Sequence, residues 1–345
     1  MAYTTIPKST AQFNTKLYTG NYSTNAITAV GFQPDLTWIK SRTTAGEDHY
    51  LFDAIRGVTN YIHSNTSAAQ GTNSATLTTF GSDGFTVGAN NSVNKSSDSL
   101  VSWNWKANGQ GSANTDGTIN STYTSANTTS GFSIVQYTGN GTAGATVGHG
   151  LGAAVKTIII KKYNTSSDWV YGSSGMGFTK YMNLNSTGAE SAYAGMFNDT
   201  APTSSVFTLG ADGQVNTNGG TYVAYCFADV QGFSKMGSYI GNGNANGTFA
   251  YTGFKPAFIL VKNTGSVRNW QIYDSKRIGY NYNNYRLPPN TAGSEESNLN
   301  IDIYSNGFKT LATDADVNEN AKTYIFLAFA EEPLVSTNGQ PATAR

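Results

Sequence analysis

The chain has 345 residues, with 21 basic and 21 acidic side chains and a formal net charge of zero. Charged residues make up 12% of it, which is about half the usual share, and no stretch concentrates Lys and Arg as nucleic-acid binding would require. No run approaches the roughly 18 apolar residues of a transmembrane helix, so neither nucleic acid binding nor membrane insertion is expected.

Residues 1–10 are predicted to form an N-terminal arm. They lack the basic start and apolar core of a signal peptide. The chain also has one cysteine, Cys226, so it cannot form an internal disulfide. Folding in a reducing cytoplasm is therefore the expectation, with Cys226 as a small core residue.

From residue 11 onward the same landmarks occur three times in the same order. Each repeat has a Phe, a Tyr-x-Gly-Asn string, an apolar run that ends in Lys, and a closing aromatic strand. The strings begin at Tyr18, Tyr137 and Tyr239, the lysines are Lys40, Lys161 and Lys262, and the closing strands run over 101–105, 223–227 and 325–329. A period of about 100 residues matches one compact domain, which predicts three consecutive copies of one domain.

The predicted boundaries follow from these landmarks. Repeat 1 covers 11–107, repeat 2 covers 131–229 and repeat 3 covers 232–333. The segment 108–130 is rich in Gly, Ser, Asn and Thr and predicts a linker, and 334–345 predicts a polar C-terminal tail.

The apolar pattern is that of strands almost throughout. Val101, Trp103 and Trp105 alternate with polar residues, and turn residues recur every 8–12 positions or so, as in sandwiches and barrels. The predicted fold is all-β, with three tandem copies of an antiparallel β-sandwich of jelly-roll or lectin-like topology.

Two charged pairs recur at the same spacing. Asp53 and Arg56 reappear as Asp274 and Arg277, whereas the aligned middle repeat has Gly172 in place of the acid and Gly175 in place of the base. Loss of both charges together is what a mutually satisfying buried ion pair predicts. A catalytic carboxylate assisted by Arg is the alternative, but no second carboxylate or His accompanies either pair.

Other motifs give no catalytic, cofactor or metal site. The string Gly139-Asn140-Gly141-Thr142-Ala143-Gly144 fits a phosphate loop, but no helix-forming segment follows it, so a turn is predicted. Asp314-x-Asp316-x-Asn318 resembles the start of a calcium loop without its glycine and closing Glu. No enzyme activity and no cofactor are therefore expected.

The least redundant aromatic cluster lies in repeat 3. Tyr, Asn and Arg together suit a contact surface, because rigid rings and adaptable amides serve recognition. The predicted contact residues for a partner protein or a glycan are Tyr280, Tyr282, Asn283, Tyr285 and Arg286.

Several phrases of the chain resemble a repeated domain of virion proteins of marine tailed bacteriophages. They include Tyr137 to Gly144, Val147 to Gly152, Phe197 to Gly210 and Tyr222 to Ala228. Repeat 2 matches closely and its neighbours more loosely, over most of 11–333. The resemblance implies a structural or tail-associated role and provides no catalytic motif.

The function expected on this basis is a non-enzymatic bacteriophage virion structural protein, assembled in the host cytoplasm and located in the virion. A tail fibre or tail appendage subunit that contacts a host receptor, a host-surface glycan or other virion proteins is the leading version. A homo-oligomer, with a trimer as the usual state of phage fibres, is expected. The alternatives are a capsid decoration protein, a carbohydrate-binding module and a polysaccharide depolymerase.

Overall fold

The computed structural model describes residues 3–277, 285–297 and 301–335. In these ranges the regular secondary structure is almost all β, arranged in several antiparallel sheets, and the α-helices are single turns. The all-β prediction is confirmed. No helix in the described ranges is long and apolar enough to cross a membrane.

Repeat 1 follows a 3₁₀ turn at Ser9–Ala11. Its elements are β1 (Phe13–Thr19), β2 (Asn25–Ile27), β3 (Leu36–Ser41), β4 (Tyr50–Asp53), β5 (Asn60–His63), β6 (Gly71–Thr72), β7 (Leu77–Gly81), β8 (Gly84–Val87), α1 (Asn91–Asn94) and β9 (Ser99–Trp105).

Repeat 2 and the segment before it have one added strand at the start and a single-turn helix in place of strand β7, and otherwise follow the same order. The elements are β10 (Tyr123–Asn127), β11 (Phe132–Thr138), β12 (Ala145–Gly148), β13 (Thr157–Lys162), β14 (Trp169–Ser173), β15 (Lys180–Asn183), β16 (Ser191–Ala192), α2 (Ala194–Phe197), β17 (Val206–Leu209), α3 (Gly213–Asn216) and β18 (Thr221–Phe227).

Repeat 3 completes the series. Its elements are β19 (Ser234–Ile240), β20 (Phe249–Tyr251), β21 (Phe254–Asn263), β22 (Gln271–Asp274), β23 (Tyr285–Arg286), β24 (Glu296–Ser297), β25 (Ile301–Tyr304), β26 (Gly307–Thr310), α4 (Ala315–Asn318) and β27 (Thr323–Pro333).

The same strand order recurs in all three repeats. In each large sheet the closing aromatic strand lies between the first strand and the strand that ends in Lys. The orders are β1-β9-β3-β4-β5-β6, β10-β11-β18-β13-β14-β15-β16 and β19-β27-β21-β22. Each repeat also has a small sheet, namely β2-β8-β7, β12-β17 and β20-β26-β25. The repeated landmarks therefore correspond to repeated pairing.

The segment 108–130 is not simply a linker. It contains β10, which pairs with β11 at the edge of the large sheet of repeat 2, and Ile119, which bridges to Val147 of the small sheet. Its low apolar content misled the prediction, because an edge strand pairs through its backbone and needs few apolar side chains. Ser125 and Ser121, both buried, act through hydroxyl hydrogen bonds instead.

The Tyr-x-Gly-Asn string holds the short helix at the far end of its repeat. In repeat 2 the Tyr137 hydroxyl donates to the Val215 carbonyl at 2.8 Å, and the Asn140 amide donates to the buried Asn216 side chain at 2.9 Å. A Cβ on Gly139 would lie 2.5 Å from the Thr217 carbonyl oxygen, so only glycine fits. Repeats 1 and 3 use Asn94 and Asn318 in the same way.

The hydrophobic core has local parts and a shared part. Ile39, Phe52 and Leu100 belong to a cluster confined to repeat 1, and Ile158, Phe207 and Ala224 belong to one centred on repeat 2. The opposite faces of the large sheets join in one cluster drawn from all three repeats. That shared core contains Trp38, Trp103, Trp169, Tyr225, Phe258 and Leu327 among others. The closing strands of repeats 1 and 2 thus face a local core on one side and the shared core on the other, whereas both faces of β27 lie in the shared core.

Candidate functional site: contacts between repeats and an exposed aromatic surface

The predicted contact cluster in repeat 3 is only partly described. Tyr280, Tyr282 and Asn283 lie outside the described residues. Tyr285 and Arg286 form the short strand β23, and both are half-buried. The proposed role of the tyrosines and Asn283 in contacting a partner remains a prediction.

Arg286 sits in an acidic environment inside repeat 3. Its guanidinium lies 2.8 Å from Glu296, 2.9 Å from Asp314 and 3.4 Å from Asp316. Burial raises the pKa of Asp316 above its usual value, and the neighbouring Asp314 carboxylate adds to this. Arg286 therefore organises this loop cluster as an ion-pair partner.

The calcium-like string has a local structural use. Asp314 precedes α4, and its side chain accepts from the Asp316 amide at 2.8 Å, which is helix N-capping. In the described ranges no group of three metal-ligating side chains is found. The phosphate-loop string, residues 139–144, leads into a strand and not into a helix, as the turn prediction required.

The Asp–Arg ion pairs are present and buried. Arg56 Nε lies 2.6 Å from Asp53 Oδ2, and the corresponding distance between Arg277 and Asp274 is also 2.6 Å. All four side chains are at most 1% exposed. In each pair the second arm of the guanidinium donates to a backbone carbonyl, so the arginine charge is well satisfied.

Each of these aspartates also accepts a hydrogen bond from the next repeat. The Tyr225 hydroxyl donates to Asp53 Oδ2 at 2.8 Å, and the indole of Trp103 donates to Asp274 Oδ2 at 2.9 Å. Trp103 and Tyr225 occupy the same position of the closing strand, because Trp105 and Phe227 pair equivalently in their sheets. The ion pairs are therefore parts of contacts between repeats.

The strand register corrects the assignment in repeat 2. Thr157 pairs with Ser173, as Leu36 pairs with Asp53, so Ser173 and not Gly172 replaces the aspartate. Three positions further on, Met176 and not Gly175 replaces the arginine. The comparison of the repeats by sequence was off by one residue, because nothing in the sequence shows where repeat 2 differs in length from its neighbours.

The third contact loses the donor together with the ion pair. The position equivalent to Trp103 and Tyr225 is Leu327 in repeat 3, since Phe329 pairs with Phe258. Leu327 has no hydrogen-bond donor, and repeat 2 presents no aspartate to receive one. Carboxylate, guanidinium and donor are thus present together in two contacts and absent together in the third.

A second set of contacts links the repeats in a closed cycle. The Trp169 indole of repeat 2 donates to the His63 carbonyl of repeat 1 at 2.8 Å, and the Trp270 indole of repeat 3 donates to the Asn183 carbonyl of repeat 2 at 3.1 Å. His49 of repeat 1 makes the equivalent contact, with Nε2 3.2 Å from the Pro288 carbonyl of repeat 3. Repeat 3 is thereby joined back to repeat 1.

His49 is the repeat 1 counterpart of Trp169 and Trp270. The match is shown by a shared backbone contact, because the amides of His49, Trp169 and Trp270 each donate to an Asn side chain. His49 Nδ1 accepts from the Trp38 indole at 2.9 Å, which leaves Nε2 protonated to donate to Pro288. Burial lowers the pKa of His49 well below its usual value.

The three recurring lysines are buried at the ends of their strands. Each ammonium donates to backbone carbonyls, and two of them reach the preceding repeat: Lys161 donates to the Ser67 carbonyl at 2.9 Å and Lys262 to the Thr187 carbonyl at 3.2 Å. Lys40 donates to its own neighbour, Ser41. Burial lowers the pKa of each lysine to about 8.

Repeat 3 exposes aromatic residues where the other repeats do not. Phe249 and Tyr251 in β20 are 42% and 56% exposed, and Ile240 beside them is 62% exposed. The pairing of β20 with β26 shows that the equivalent residues are Ala26 with Thr28 in repeat 1, and Thr146 with Gly148 in repeat 2. We call Ile240, Phe249 and Tyr251 the aromatic surface. Only repeat 3 places rings at these positions, and the match between the repeats is read from the strand register.

The comparisons with known proteins identify a family. A family model described as "Domain of unknown function (DUF7483)" matches residues 8–333, so the chain belongs to that family. The match runs through all three repeats. No curated protein and no solved structure matches the chain.

Proposed function

We propose that this member of the DUF7483 family is a non-enzymatic structural protein of a bacteriophage virion, assembled in the host cytoplasm. The leading version is a tail fibre or tail appendage subunit that contacts neighbouring subunits or a host receptor. Each repeat would be an antiparallel β-sandwich of jelly-roll or lectin-like topology. The phrases of repeat 2 that resemble phage virion proteins motivate this assignment.

One observation carries the proposal most strongly: the residues with reactive chemistry serve to join the repeats. Asp53 and His49 are buried and hydrogen-bonded across contacts between repeats, and Arg56 is buried in an ion pair with Asp53. A site that binds and releases a substrate needs such groups facing a cleft. Buried at these positions, they favour a rigid building block.

Surface composition gives independent support. With 12% charged residues and no net charge, neighbouring subunits would meet without long-range repulsion. The aromatic surface offers a place where rings can pack on a neighbour, since aromatic residues are enriched at protein interfaces. Both the absence of net charge and the aromatic surface suit a protein that packs closely against its neighbours on a particle.

Location on the particle is the test. Antibodies raised against the purified chain would be applied to intact virions of the phage that encodes it and viewed by immunogold electron microscopy. Label on the tail is expected, and label on the capsid surface would establish the decoration role instead. Absence of the chain from purified, protease-treated virions, with the chain present in infected cells, would contradict the proposal.

A further inference from the structure

The small sheet of repeat 3 has an open edge. Strand β20 pairs with β26 along one side. The Thr248 carbonyl and the Thr252 amide form backbone hydrogen bonds on the side that faces β26. Because backbone groups alternate along a strand, those of Phe249 and Tyr251 point to the opposite side. Within the described ranges no strand pairs with β20 there.

Repeat 2 uses the equivalent edge for strand pairing. The Ile119 amide donates to the Thr146 carbonyl at 2.9 Å, and Ile119 bridges to Val147 in parallel orientation. Thr146 is equivalent to Phe249. Thr146 directly precedes Val147, which pairs with Phe207, and Phe249 directly precedes Ala250, which pairs with Phe308. The edge is therefore geometrically suited to accept a further strand, and it is filled in repeat 2.

We propose that β20 of one molecule pairs antiparallel with β20 of a second molecule of this chain, about a two-fold axis at Ala250. The sequence Phe249-Ala250-Tyr251 is self-complementary in this arrangement. Phe249 of each molecule lies opposite Tyr251 of the other, with all four rings on one face. Cross-strand aromatic pairs stabilise a sheet beyond the effect of the apolar area that they bury.

Two of the features that usually prevent such pairing are absent from the edge strand, and the described part of the N-terminal arm reaches it only at Tyr251, where the Tyr3 hydroxyl lies 3.5 Å from the Tyr251 hydroxyl. Natural sheet edges are often protected by charges, proline or a covering segment. The three residues of β20 are uncharged and contain no proline, and the net charge of the chain is zero. No net charge therefore opposes the approach of two molecules.

The extent of the contact predicts a weak dimer. The exposed parts of Phe249, Tyr251 and Ile240 add up to roughly 300 Å² of apolar side chain per molecule, with full aromatic side chains at about 150–250 Å². A standard stable interface buries about 800 Å² per partner. Beyond Tyr251 the edge is closed, because the Gly253 carbonyl already accepts from the Tyr3 hydroxyl at 2.7 Å.

A weak pairwise contact of this kind becomes effective where many molecules are held close together, as on a particle. In that respect the inference rests on the proposed function and specifies one of its self-contacts. Pairing by the purified chain is nevertheless measurable without any particle, so the two proposals can fail separately.

The test is sedimentation equilibrium of the full chain over a concentration range of about 1 to 500 µM, where dissociation constants in the micromolar range are resolved. The variant Phe249→Ala/Tyr251→Thr installs the residues that repeat 1 has at the same positions. A Tyr193→Ala variant removes a comparably exposed ring (48%) elsewhere and serves as control. Thermal midpoints and circular dichroism establish that each variant is folded.

The weight-average mass of the wild-type chain should rise toward that of a dimer, and the Tyr193→Ala variant should behave in the same way. The double variant should need at least a tenfold higher concentration than the wild type to reach the same degree of association. A wild-type chain that stays monomeric throughout, or a double variant that associates equally well, would overturn the proposal. Glycan-array binding by a monomeric wild type that the double variant loses would assign the surface to a glycan instead.

Discussion

At the scale of single residues, His49 is the position where the contact cycle is chemically different. Repeats 2 and 3 use an indole, which does not titrate, whereas repeat 1 uses an imidazole at the contact that joins it to repeat 3. His49 is buried and neutral, and it is bonded on both nitrogens. Proton uptake would leave Nδ1 unable to accept from Trp38.

Acid should therefore weaken the protein partly through His49. Burial depresses its folded-state pKa below the unfolded value, so in that window the unfolded chain binds more protons than the folded one. Stability is then fully present above the unfolded pKa of about 6.5 and falls as pH decreases below it, by up to about 1.4 kcal/mol per pH unit.

The paired variant Trp38→Ile/His49→Trp tests this, because it reproduces Ile159 and Trp169 of repeat 2. Urea unfolding between pH 7 and pH 4.5 should give a shallower loss of stability with acid than the wild type does. An unchanged slope would show that His49 does not contribute. The single His49→Trp variant should be less stable than the pair by about 1–3 kcal/mol, since the Trp38 indole loses its acceptor.

At the scale of elements, the closing strands carry the contacts between repeats. Their inward residues lie in the shared core. Two of these residues, Trp103 and Tyr225, also donate a hydrogen bond to a buried aspartate of a neighbouring repeat. A hydrogen bond to a charged acceptor is worth more than a neutral one, and a buried carboxylate that loses a donor is costly.

Tyr225→Phe removes the donor to Asp53 and keeps the ring. We expect a loss of about 1–3 kcal/mol in the free energy of unfolding, measured by chemical denaturation. Tyr181→Phe is the matched control, because no hydrogen bond of its hydroxyl to a described residue is found and its removal should change stability by less than about 0.5 kcal/mol. Equal effects of the two substitutions would show that the Asp53 contact does not stabilise the chain.

Much of the element-level pattern was accessible from sequence, and the failures have identifiable causes. The lysine-ended strands, the closing strands and the buried Asp–Arg pairs were predicted because apolar periodicity and repetition report directly on pairing. Strand β10 was missed because edge strands have little apolar signal. Ser173 and Met176 were missed because register depends on cross-strand geometry that one sequence does not fix.

The proposed contact surface was harder to predict, for a different reason. The sequence drew attention to Tyr280 and Tyr282, since clustered aromatics stand out along a chain. Phe249 and Tyr251 are separated by one residue and look like ordinary strand residues, and only pairing with β26 shows that both face outward. Whether a side chain is exposed depends on how its strand is placed in the sheet, and the sequence of the strand alone does not give that placement.

At the scale of the whole molecule, the three repeats share one core, and we expect them to unfold as one cooperative unit. One apolar cluster includes residues from every large sheet, and the contacts run from repeat 2 to 1, from 3 to 2 and from 1 back to 3. Local clusters within repeats 1 and 2 would support each sheet by itself, but the faces with Trp103 and Trp169 are covered only when all repeats are present.

Differential scanning calorimetry of the intact chain tests this claim most directly. At about 0.7 kcal/mol per residue near 60 °C, 345 residues should unfold with an enthalpy of about 240 kcal/mol. We predict one transition whose van't Hoff enthalpy equals that calorimetric value, shifted as a whole by Tyr225→Phe. Separate transitions, or a van't Hoff enthalpy near one third of the calorimetric enthalpy, would show three independent domains and contradict the account.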